Sequence, residues 1–158
     1  MAEQLNVLST QSREEQYKNL IPQIDSLINS ELDLIANMAN ISAALMQTFK
    51  FLWVGFYLVK GDDLVLGPFQ GKIACTRIHY GKGVCGTAWK EQKTQIVADV
   101  DLFPGHIACD AESISEIVVP IIRNNEIVAV LDVDSQFENY FSETDSEYLY
   151  RIIQKLKF

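Results

Sequence analysis

The chain has 158 residues, 48% hydrophobic and 22% charged, the size and composition of one globular unit with its own core. A formal charge of −8 repels phosphate backbones and anionic headgroups, which argues against nucleic acid and membrane surfaces as partners. No run approaches the roughly 20 apolar residues of a membrane span, and residues 1–12 lack the basic-then-apolar order of a secretory signal, so a cytoplasmic location is expected.

Ser12 with Glu15 predicts a capping box, and Tyr17, Leu20, Ile21, Ile24, Leu27 and Ile28 follow at helical spacing. Pro22 falls inside this helix and predicts a kink or a split. Leu34, Met38, Ile41 and Leu45 mark the apolar stripe of a second helix over 33–49. The β-branched and aromatic stretch 51–59 predicts a strand, Lys60-Gly61-Asp62-Asp63 a turn, and 64–66 a partner strand ended by Gly67-Pro68. A third strand is expected over 73–78, carrying Cys75, followed by a short helix holding Cys85 and a brief strand at 96–98. Residues 99–113 lose periodicity and gather Pro104, Gly105, His106 and Cys109, the composition of a long surface loop. Strands over 114–122 and 126–133 meet at Asn124-Asn125, and Ser142 with Asp145 opens a last helix that buries Leu149, Ile152, Ile153 and Leu156. With no repeat or linker, the expectation is one α+β domain over 1–158, core about 12–157, with an antiparallel sheet and helices mainly on one face.

Cys75, Cys85 and Cys109 cannot all pair with one another, and a reducing compartment favours them as thiols. Any one alone is more often a small buried hydrophobe, a description that suits Cys75 best. A zinc site would draw on Cys75, His79, Cys85, His106 and Cys109, but only His106 and Cys109 have the close spacing of structural zinc ligands. Glu116 follows Cys109 by seven residues, and Asp132 and Asp134 occupy alternate positions of an apolar strand, so they share one face. Acidic groups there are either solvated at a strand end or held for chemistry.

Five stretches, WVGFY at 53–57, GKGVCGTAW at 81–89, FPGHIACDAES at 103–113, SEIVVPI at 115–121 and VLDVDS at 130–135, resemble the free methionine-R-sulfoxide reductases, a family of GAF-domain proteins. The resemblance spans most of the chain and includes all three cysteines. It implies a single GAF-like domain with a six-stranded antiparallel sheet flanked by helices, an oxidoreductase acting on free methionine (R)-sulfoxide, no bound cofactor, and thioredoxin as external reductant. It implies Cys109 as nucleophile, Cys75 as resolving thiol and Cys85 as a third thiol that assists or substitutes. It also implies Glu116, Asp132 and Asp134 as acidic substrate-site residues and Trp53 as a pocket wall. A homodimer stays open.

Sulfoxide reduction needs a thiolate to attack sulfur and an acid to stabilise the departing oxygen. The carboxylates raise a thiol's pKa, so the expectation is that at least one is neutral and donates to the oxygen while an ionised partner holds the ammonium. The rival expectations are a GAF-type module that binds a small ligand, or a cysteine redox sensor, each without turnover.

Overall fold

The computed structural model describes residues 4–7, 11–107 and 110–158. Helix α1 runs Arg13–Ile28, starting at the expected box: Ser12 Oγ accepts from the Glu15 amide while Glu15 accepts from the Ser12 amide. Pro22 lies inside one continuous helix, neither split nor ended there. Its lost hydrogen bond and ring clash cost about 3 kcal/mol, and burial of the flanking Leu20, Ile21 and Ile24 offsets them. Helix α2 (Leu34–Phe49) is capped by Asp33, whose side chain accepts from the Ala36 amide.

Six strands follow the helices: β1 (Trp53–Lys60), β2 (Asp63–Gln70), β3 (Arg77–His79), β4 (Gln95–Val97), β5 (Ser115–Arg123) and β6 (Glu126–Ser135). They form one antiparallel sheet in the order β3-β2-β1-β6-β5-β4. Helix α3 (Gly83–Glu91) lies between β3 and β4, and α4 (Glu143–Ile153) ends the fold. Asn124 and Asn125 both take positive φ, the conformation a tight β5–β6 hairpin turn requires.

Two expected boundaries are corrected. β2 does not stop at Gly67-Pro68; it runs to Gln70 through an irregularity opposite Phe56, where one extra residue absorbs the proline without breaking the ladder. Cys75 is not on a strand, because β3 begins only at Arg77. The preceding segment is held instead by side chains: Trp53 Nε1–H donates to the Lys72 carbonyl (3.1 Å) and Tyr57 O–H to the Cys75 carbonyl (3.0 Å). Those bonds satisfy backbone groups that a ladder would otherwise take.

Alternation along the strands divides the apolar side chains between two layers. Val54, Phe56, Ile117, Val119, Ile121, Leu131 and Val133 face α1, α2 and α4 and build the larger core. Trp53, Tyr57, Val118 and Val130 face the other way, where Val84, Cys85 and Ala88 of α3 cover them. A Cβ at Gly86 would lie 2.5 Å from the His79 carbonyl oxygen, so glycine is what lets α3 sit this close and brings Cys85 onto the sheet.

Candidate active site

Register places the expected residues on the α3 side of the sheet. Trp53 of β1 pairs with Asp134 of β6, and Gly55 with Asp132, while Glu116 of β5 pairs with Asp134 from the other side. Residues paired across antiparallel strands share a face, so Trp53, Asp132, Asp134 and Glu116 converge under α3. A Cβ at Gly55 would come within 2.6 Å of Trp53 Cη2 and 2.3 Å of Phe69 Cβ; the glycine provides the space in which the indole lies flat. Trp53 stacks on Phe69 and Tyr57, with ring centroids 5.3 and 6.0 Å apart.

These residues line a cleft that opens to solvent and encloses a cavity of about 50 Å³. Its apolar lining includes Trp53, Tyr57, Ile73, Val84 and Ile107. Its acidic lining is Glu116, Asp132 and Asp134, with Cys85 among them. Glu116 and Asp132 are each only 7% exposed, which removes the solvated strand end as their explanation. Cys85 is 3% exposed, and its thiol lies 3.9 Å from Glu116 Oε1.

Burial, the charges of Asp132 and Asp134, and a hydrogen bond with Asp132 push the Glu116 carboxyl well above the usual carboxylate range. Burial and the Asp134 charge do the same to Asp132. Asp134 is different: burial raises it only to about 6, because Ser113 Oγ donates to Asp134 Oδ1 and favours the charged form. Burial, with the charges of Asp132 and Glu116, raises the Cys85 thiol, which suits a group that stays protonated. The site therefore sorts its acids, with Asp134 ionised at neutral pH and Glu116 and Asp132 able to donate.

Cys75 is disulfide-bonded and half-buried, its carbonyl accepting from the Tyr57 hydroxyl. Cys109, the expected nucleophile, lies outside the described residues. The chain on either side of it reaches the cleft: His106, Ile107, Asp110 and Ser113 all line it, and Lys72 binds Asp110 and Glu112 at 3.6 and 2.7 Å. Among the described residues the zinc candidates weighed from the sequence do not gather. The group that does is Cys85, Glu116 and Asp132, with ligand atoms all within 4.8 Å of one another. Ser113 is a site residue that the sequence reading misses; its only local signal is a hydroxyl at the end of the cysteine-bearing loop.

A GAF domain model matches residues 30–155, and that is the class the sheet order and flanking helices define. The chain is 45% identical over 147 residues to the free methionine-R-sulfoxide reductase of Escherichia coli (strain K12), covering 92% of this chain and 89% of that one. It is 57% identical over 157 residues to GAF domain-containing protein A of Dictyostelium discoideum, covering 99% of each. The solved free methionine-R-sulfoxide reductase of Neisseria meningitidis, in complex with its substrate, superposes with a TM-score of 0.93 at 46% identity, covering 97% of this chain and 93% of that one. The chain belongs to the free methionine-R-sulfoxide reductase family of GAF-domain proteins.

Proposed function

We propose that the protein reduces free L-methionine (R)-sulfoxide to methionine in the cytoplasm, with Cys109 as nucleophile, Cys75 as resolving thiol and thioredoxin as the external dithiol. The observation that carries this reading is the cleft itself: the buried Glu116 and Asp132 and the half-buried Asp134 lie beside aromatic side chains, in a chain 46% identical to a reductase solved with its substrate.

Cys109 thiolate attacks the sulfoxide sulfur while a protonated carboxyl, Glu116 or Asp132, donates to the oxygen. The sulfur–oxygen bond breaks as oxygen passes to the cysteine, methionine leaves, and Cys109 becomes a sulfenic acid. Cys75 thiol then displaces water to form a disulfide, and thioredoxin returns both sulfurs to thiols. One sulfoxide and two thiols thus give one sulfide, one disulfide and one water. The disulfide-bonded state of Cys75 supports its place in this cycle.

Asp134, ionised at neutral pH, holds the substrate ammonium. A peptide-linked methionine has no free charge there, which selects the free amino acid. Trp53 meets the S-methyl group beside the acids on the same sheet face, so the two sulfoxide hands exchange oxygen and methyl between an apolar and an acidic contact. Cys85 serves as a protonated neighbour that keeps Glu116 in place. The test is continuous NADPH oxidation by pure protein with thioredoxin, its reductase and free methionine sulfoxide. A ligand-binding module or a redox sensor gives no sustained loss.

A further inference from the structure

Cys85, Glu116 and Asp132 present one sulfur and two oxygens whose mutual separations are all within 4.8 Å. Around a tetrahedral zinc ion, with Zn–S about 2.3 Å and Zn–O about 2.0 Å, a sulfur–oxygen edge spans roughly 3.5 Å. The Cys85 Sγ to Glu116 Oε1 distance is 3.9 Å, so closing it to that edge takes only a small rotamer adjustment. An independent observation marks the same place: Asp132 Oδ1 is buried without a hydrogen-bond partner, and Asp132, 7% exposed, lines the cleft. An orphaned buried carboxylate oxygen costs free energy that a cation would recover.

We infer that Cys85, Glu116 and Asp132 form a three-ligand site for a thiophilic divalent cation of the zinc class, placed so that the ion blocks the sulfoxide site. The set of one thiolate and two carboxylates suits zinc or cobalt(II) over magnesium, which takes oxygen ligands and keeps its waters. The metal assignment stands on the three side chains alone; its inhibitory consequence rests on the functional reading above. Bound metal would hold the acids that the reaction needs as proton donors, making the reductase answer to free zinc.

The test uses the full chain in its disulfide form, in which Cys75 cannot contribute a thiolate, titrated with cobalt(II) chloride alone and then with zinc chloride in competition. The expected result is one cobalt per chain with a near-ultraviolet sulfur-to-cobalt charge-transfer band, displaced by zinc. Cys85→Ser should remove the band, and Asp132→Asn, which keeps the thiol, should weaken cobalt binding tenfold or more. A band that persists in Cys85→Ser, or wild-type protein that binds no cobalt, overturns the assignment. Thioredoxin-coupled turnover without metal binding removes this inference and leaves the functional reading standing. Cobalt bound through Cys85 in a protein that never reduces methionine sulfoxide removes the functional reading and leaves the metal site.

Discussion

Ser113 Oγ donates to Asp134 Oδ1 at 2.5 Å, joining the cysteine-bearing loop to the acidic wall of the cleft. The bond favours the ionised carboxylate, and it separates Asp134, at about 6, from a Glu116 and an Asp132 that burial drives well above their usual range.

Removing that hydroxyl shifts the acid limb of substrate binding. In the wild type, KM for free methionine sulfoxide rises as pH falls through about 6, where Asp134 takes up a proton and loses its hold on the ammonium. Ser113→Ala moves this limb to higher pH and raises KM several-fold near pH 6.5, with kcat at pH 8 nearly unchanged. A KM profile unaltered by Ser113→Ala separates Asp134 from ammonium binding.

The same acids make the fold less stable as pH rises. A carboxyl whose folded pKa lies above its unfolded value keeps its proton longer in the native state, so its stabilisation is present at low pH and lost on the way up. For Asp134 the window runs from about 4 to about 6, and the loss is on the order of 3 kcal/mol. Asp134→Asn therefore raises Tm at pH 8 while weakening substrate binding. Scanning calorimetry at pH 8 checks the sign; an amide variant with a lower Tm shows that the charge is compensated.

Gly55→Ala disturbs the aromatic wall. Its methyl would lie 2.3 Å from Phe69 Cβ and 2.6 Å from Trp53 Cη2, so the indole must leave its place. The expected cost is about 1–3 kcal/mol of stability, with KM raised and the preference for one sulfoxide hand reduced. Chemical denaturation and KM for each epimer measure the two effects.

Which features the sequence discloses depends on how local their physics is. The Ser12–Glu15 box and the alternation that sets Asp132 beside Asp134 use neighbours in the chain, and both stand in the structure as read. Apolar flanks predict a strand at Cys75, yet Ile73 is 92% exposed and the segment answers to Trp53 and Tyr57, some twenty residues earlier. Gly67-Pro68 looked like a strand end because a bulge needs a partner strand to define it. The Ser113–Asp134 bond joins a loop to β6 across the β5–β6 register, which no local pattern encodes.

In the proposed cycle Cys109 carries out attack and Cys75 recycling. Cys109→Ser abolishes methionine formation in a folded protein. Cys75→Ser still forms about one methionine per chain in a single turnover and loses thioredoxin-supported cycling, because attack precedes disulfide formation. Rapid-quench and steady-state assays on the two variants separate these outcomes; a Cys75→Ser protein that cannot make the first methionine reverses the assigned order.

Pre-reduced wild-type protein, with no added reductant, is incubated with the (R)-sulfoxide of free methionine, its (S)-epimer, and N-acetylmethionine (R)-sulfoxide, and the sulfide products are quantified chromatographically. A free methionine-(R)-sulfoxide reductase forms about one methionine per chain from the free (R)-sulfoxide, with loss of two thiols, and almost no product from the other two. Equal product from all three, or none from the free (R)-sulfoxide with the thiols intact, contradicts that function.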